Sequence, residues 1–187
     1  MGTPRCQSKQ RRTAKVNIGN AGEHLVMAEL LYQGHQAFWA DRGNPAFDIA
    51  VDVYGRTSLI RVKTTTANLG AAQWTAKPDG RVFLDLRHER DFVAIVDMRN
   101  GPRGAVFYLV PTPVVEEHHA RNHPEYLRHP RRDGRPGGRK DTPQRIIRLD
   151  GPERHDNPTF NYAEKWAQYR EAWHQLEAVP RVERDAA

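Results

Sequence analysis

The sequence predicts an α/β fold, a mixed central β-sheet flanked by helices, and three patterns predict it. Residues 47–63 alternate apolar with polar on either side of Gly55-Arg56, the period of two strands joined by a turn. Asp91–Met98 is a nearly continuous apolar run of strand length, as in a strand covered on both faces. Apolar stripes at helical spacing precede and follow these segments. At 187 residues the chain is long enough for one domain with a proper core.

The first helix is expected from Asn20 to about Gln33, with Asn20 as N-cap and Gly34 as stop. Glu23, Met27, Leu30 and Gly34 share one stripe, which faces the sheet. Glu23 then has two readings. In an Asn-x-x-Glu capping box it reaches back to the cap amide. At the inner edge of the helix it is a carboxylate in need of a partner, and a cation shared with Asp48 is one candidate.

The hairpin follows. With Gly55-Arg56 as a two-residue turn, Tyr54 sits opposite Thr57, and Asp48 pairs with Lys63, Ala50 with Arg61 and Asp52 with Leu59. Asp48, Asp52, Arg61 and Lys63 all project from one face in that register. An acid beside a lysine on a rigid hairpin suits metal-assisted phosphodiester cleavage. The carboxylate holds a divalent cation, while the lysine orients or activates the attacking water and offsets phosphate charge. The same pattern also describes an ion-pair face, each pair adding about 0.2–1 kcal/mol of sheet stability.

Thr64–Thr66 continue the second strand, and residues 68–80 are expected as a loop or short irregular segment in which Gln73-Trp74 either sits near the site or, the preferred reading, covers the core edge. Residues 81–86 suit a short strand or a turn of helix. Asp91–Met98 is the buried central strand, Asn100–Gly104 a turn, and Ala105–Val110 a strand ended by Pro111-Thr112-Pro113. A short helix starts over Val114–Ala120, and Arg145–Asp150 returns as an edge strand. The last helix runs from about Asn161 to Ala178, its stripe of Tyr162, Trp166, Tyr169, Trp173 and Leu176 packing the core. The expected plan is a basic flexible tail over 1–16, an α/β core over 17–120, a basic Pro/Gly/Arg-rich loop over 121–144, a strand and helix packing on the core over 145–178, and a tail over 179–187.

The net charge of +6 is unevenly placed. Residues 1–16 carry +5, including Arg11 and Arg12, and residues 121–148 carry +6, including Arg131, Arg132, Arg135, Arg139 and Lys140, which leaves −5 elsewhere. Basic segments on a mildly acidic core point to phosphate-backbone contact that weakens with salt. His118, His119, His123 and His129 lie in this Arg-rich neighbourhood and suit surface or phosphate-contacting groups better than zinc ligands. One cysteine, Cys6, excludes an intrachain disulfide and fits a reducing cytoplasm. No apolar run approaches the roughly 20 residues that cross a membrane, and no secretory signal core is expected.

Gly22-Glu23 opening a helix, Asp48 on the next strand and Val62-Lys63-Thr64-Thr65 ending the following one resemble the PD-(D/E)xK nucleases, closest to small bacterial members related to intron-encoded homing endonucleases. The resemblance spans about residues 18–115 and implies a restriction-endonuclease-like core. It implies a DNA endonuclease dependent on Mg2+ or Mn2+, with RNA left open as substrate and a homodimer as the assembly. Glu23, Asp48 and Lys63 stand at its catalytic positions, with Asp48, Glu23 and the Val62 carbonyl as metal ligands. Arg61 stands where the family has Glu, Asp or Gln. An arginine cannot ligate a metal, so the expectation for Arg61 is a phosphate contact or a pair with Asp48 or Asp52. Asp52, four residues along the strand and roughly 13 Å away, is too distant to take the ligand role. The alternative is a nuclease-fold module that binds nucleic acid, or serves as an interaction subunit, without cutting.

Overall fold

The computed structural model describes residues 4–41, 43–83, 86, 90–128, 130, 139–151 and 161–178, the first twelve as backbone alone. In chain order the elements are α1 (Pro4–Tyr32), β1 (Gln36–Trp39), β2 (Ile49–Val53), β3 (Arg56–Thr65), β4 (Ala72–Thr75), β5 (Phe92–Asp97), β6 (Val106–Pro111), α2 (Thr112–Arg128), β7 (Gln144–Ile147) and α3 (Tyr162–Ala167). Five strands form one mixed sheet in the order β1-β2-β3-β5-β6. β3 and β5 run parallel and the other neighbours antiparallel. A parallel pair needs a crossover, and here it passes through β4, which pairs with β7 in a two-stranded ribbon.

Each face of the sheet has its own core. On one, Val26, Met27 and Leu30 of α1 pack with Ile49, Val51, Ile60, Val62, Ala94 and Val96. On the other, Val93, Ile95 and Val110 pack with Trp74, Phe83, Val115, Ile147 and Trp166. Every residue of β5 is buried, which is why that strand is apolar throughout while β2 and β3 alternate.

α1 begins at Pro4, so the basic segment expected as a flexible tail has a helical backbone through residue 16. Asn20 is an interior helical residue, which removes the capping-box reading of Glu23. The predicted stop holds. Gly34 turns left-handed at φ 85°, and the chain closes with His35 N–H to Leu30 O and Gly34 N–H to Leu31 O, both 3.0 Å. Gly22 matters for a different reason. A Cβ at this position would lie 1.8 Å from Thr64 Oγ1 and 2.9 Å from Thr64 Cβ. The missing side chain lets α1 press against β3. Gly22→Ala is therefore expected to lower stability by about 1–3 kcal/mol, read as a lower urea midpoint at unchanged slope.

The hairpin register differs from expectation. The turn is Tyr54-Gly55, with Val53 opposite Arg56 and Ile49 opposite Ile60. A two-residue hairpin of this hand wants positive φ at both loop positions, and Tyr54 and Gly55 supply 55° and 74°. Asp52 Oδ1 accepts the Gly55 N–H at 2.8 Å, so this carboxylate belongs to the turn. The pairing slides by two residues in total, so Asp48, Arg61 and Lys63 keep their common face while Asp48 moves from opposite Lys63 to beside Arg61.

Further corrections come downstream. β1 and β4 were not expected as strands, and no strand or helix is found at the described residues of 81–86. α2 runs on to Arg128, so the first part of the expected 121–144 loop is helical. His129, Arg131, Arg132 and Arg135 lie outside the described residues. The expected final helix is broken: α3 ends at Ala167, and a single 3-10 turn follows over Trp173–Leu176. Between them the chain adds to the free edge of β6, with Leu109 N–H to Tyr169 O and Glu171 N–H to Phe107 O, both 2.9 Å. Glu171 at φ 50° then carries it round that edge. Trp166 thus fills one core and Trp173 the other.

His118 and His119, expected at the surface, are buried. His118 Nδ1 lies 2.7 Å from Lys165 Nζ, and its ring meets Trp166 edge-on. Burial first, then the Lys165 charge, lowers His118 to about 2; burial, then Arg145, lowers His119 to about 4. Both bases are neutral when folded and take up a proton near pH 6.5 when unfolded. The unfolded state binds more protons below that pH, so stability is full above pH 6.5 and falls toward pH 4. Urea midpoints at pH 7.5, 6 and 5 should fall in that order, and His119→Gln should flatten the trend.

Candidate functional site

Glu23, Asp48 and Arg61 meet at the end of the sheet where β2 begins. The close seat of α1 on β3 is fixed at Gly22, and Thr64 Oγ1 donates to Gly19 O at 3.4 Å, which leaves the next residue, Glu23, at the rim. Asp48 stands immediately before β2. Its N–H donates to Ile60 O at 3.0 Å, and its Oδ2 accepts the Val62 N–H at 2.7 Å. The carboxylate therefore takes a ladder position and is pinned against β3. A strand residue points its N–H and C=O toward the same neighbour, so the Val62 carbonyl lies on this edge as well.

Arg61 fills the centre. Its Nε lies 3.5 Å from Asp48 Oδ2, and its Nη1 donates to Pro45 O at 3.2 Å and, at the limit of a hydrogen bond, to Asn44 O at 3.5 Å. Asn44 Oδ1 in turn accepts the N–H groups of Ala46 and Phe47 at 2.8 and 3.3 Å, which shapes the loop before Asp48. Arg61 thus clamps this loop to β3. The expected pair with Asp48 is present. Sequence reasoning missed the loop carbonyls, although Asn44-Pro45 is a turn signal.

A polar cleft of about 500 Å³ opens here, lined by Asn20, Glu23, His24, Trp39, Asp48 and Arg61 among others. Its wall includes an edge-on His24–Trp39 contact at 5.1 Å. Lys63 is not among the cleft's lining residues. It lies half-buried on the same sheet face as Arg61, its Nζ 5.9 Å from the Trp74 ring centre. Trp74, expected at the core edge, is buried.

Two groups are displaced from their ordinary protonation range. Burial, then the Asp48 charge, raises the Glu23 carboxyl, with Arg61 and His24 pulling back. Burial, then Arg61, lowers the Lys63 ammonium, with Asp48 opposing. An acid raised and a base lowered, each coupled to Asp48 and Arg61, make this end of the sheet a candidate functional site. A raised folded pKa makes ionised Glu23 a cost to folding at neutral pH, and that cost vanishes below the unfolded value of 4.5. Glu23→Gln is therefore expected to raise the thermal midpoint at pH 7 and to lose the advantage as pH approaches 4.5.

Among the described residues no group of three His, Cys, Asp or Glu side chains forms a cage. Two carboxylates and a carbonyl remain, with Glu23 pushed up partly by Asp48 and therefore short of positive charge. A metal held here would be of the kind that takes one or two carboxylates and keeps several waters, as Mg2+ and Mn2+ do.

Arg139 and Lys140 lie outside this cleft, Arg139 with its guanidinium 4.7 Å from the Tyr126 ring centre. The side chains of Arg11 and Arg12 lie outside the described residues. Among the described residues no helix is long and apolar enough to cross a membrane.

No protein-family model matches the chain. No curated protein matches it either. Among solved structures, the bacterial homing endonuclease I-Ssp6803I aligns over 95% of this chain and 94% of its own, at 16% identity and a TM-score of 0.45.

Proposed function

We propose that the protein is a divalent-metal-dependent DNA endonuclease, with the cleft at the start of β2 as its active site. The observation that carries this is the meeting of Glu23 and Asp48 at one polar opening, with Lys63 desolvated on the same strand face as Arg61. Asp48, Glu23 and the Val62 carbonyl would hold Mg2+ or Mn2+. Such a cation, when bound, neutralises charge on the phosphate and lowers the pKa of a bound water. Asp48 is kept in place by the Val62 N–H, so it needs no rearrangement to act. Lys63, with its proton weakly held, orients or deprotonates the attacking water. Arg61 presents a fixed cation to the phosphate while holding the loop. Arg11, Arg12, Arg131, Arg132, Arg135, Arg139 and Lys140 would contact the backbone without reading sequence.

A specific observation favours a second reading, a nucleic-acid-binding module that does not cut. Arg61 already places positive charge 3.5 Å from Asp48, where a metal would otherwise supply it. Binding of Mn2+, followed by loss of its free-ion paramagnetic resonance signal, separates the two. The nuclease reading expects about one ion bound per chain, lost in Asp48→Ala. No binding, with a salt-sensitive DNA gel shift retained, selects the second reading.

A further inference from the structure

A second pocket, of about 140 Å³, lies between α2 and β7. The Trp74 ring has the His119 ring edge-on at 5.5 Å and Lys63 Nζ 5.9 Å from its centre. Three features of its lining demand an anion. Arg145 is buried, yet its guanidinium donates only to carbonyls, Thr142 O at 2.7 Å and Gln144 O at 3.2 Å, and no carboxylate pairs with it among the described residues. A buried charge is ordinarily paired. Arg148, half-buried on the same wall, makes no side-chain hydrogen bond or ion pair among the described residues. His119 Nε2 is buried with no hydrogen-bond partner.

The acids nearby are engaged elsewhere. Asp141 takes His123 at 2.9 Å, Glu116 accepts the Val82 and Phe83 N–H groups, and Glu117 pairs with Arg121. Two guanidiniums and one imidazole donor lining one half-open pocket match a tetrahedral oxyanion.

We propose that this pocket is a phosphate-binding site, in which one phosphate group bridges Arg145 and Arg148 and accepts a hydrogen bond from His119 Nε2–H. Burial holds His119 neutral, so it donates from one nitrogen without adding a charge. The site stands on these residues alone, whether or not the Asp48 cleft cuts. The phosphate belongs either to a nucleic-acid strand or to a free phosphate ligand.

Titration calorimetry of the full chain with sodium phosphate, against sodium chloride at matched ionic strength, tests it. The expected result is saturable binding of about one phosphate per chain. Arg148→Ala and Arg145→Gln should each weaken it about tenfold, and Arg103→Gln, at an exposed arginine outside the pocket, should leave it unchanged. If Arg145→Gln does not fold, Arg148→Ala carries the test. Repeating the titration with protein saturated by duplex DNA decides the source. Loss of the phosphate heat assigns the pocket to the nucleic-acid backbone, and its retention assigns it to a free ligand. Absence of saturable binding, or binding that Arg148→Ala leaves unweakened, overturns the proposal.

Discussion

Lys63→Met is expected to lower metal-dependent nicking of plasmid DNA by about 10²–10⁴-fold, the range typical of a lost proton-transfer group. The substitution keeps the apolar stem beside Trp74 and removes only the ammonium, so the thermal midpoint should move little. The group is poised because it is half-buried and because Arg61, two residues earlier, disfavours a second cation. Both effects weaken its hold on a proton, and cleavage should therefore rise as pH climbs toward the lowered pKa. Lys63→Arg discriminates between roles. Arginine supplies the charge and cannot be deprotonated, so rescue would mean Lys63 acts through charge alone, and no rescue would mean proton transfer.

Trp166→Ala is expected to cost about 3–5 kcal/mol, the largest loss of any single truncation considered for this fold. The side chain is fully buried, with the His118 ring of α2 edge-on to it and the Tyr169 ring, just past α3, tilted against it. Its Nε1 donates to Arg148 O at 2.8 Å, so truncation also strands a carbonyl beside the proposed phosphate pocket. In a chain of this size each kcal/mol shifts the thermal midpoint by about 2–4 °C, so a drop on the order of 10 °C is expected. Trp166→Phe keeps most of the ring and removes the donor, which isolates a loss of about 1 kcal/mol for the hydrogen bond.

What was legible in the sequence was periodicity within single elements. The apolar run of β5 and the alternation of β2 and β3 each report which faces are covered, and both faces of β5 are. The turn was misplaced by one residue because Tyr54 adopts positive φ, a conformation its side chain disfavours and Asp52 stabilises by bonding Gly55 N–H. Even so, the shared face of Asp48, Arg61 and Lys63 survived, since a slide of two residues conserves facing. The first half of α1 carries no apolar stripe, so nothing in its pattern announced a helix. The last helix failed for the opposite reason. Trp166 and Trp173 look like one stripe, and only the free edge of β6 shows that they serve different cores. The acids of the site were visible as residue types in order along the chain. The clamp from Arg61 to the 44–45 carbonyls was not, because it depends on backbone positions that no residue type specifies.

The most direct measurement is nicking of supercoiled plasmid by the full-length protein with Mg2+ or Mn2+, beside Asp48→Ala. The account predicts open-circle product that appears only with metal and is lost in the variant. No product from the wild-type protein, with a salt-sensitive gel shift that Asp48→Ala retains, would contradict it and leave a binder of nucleic acid in its place.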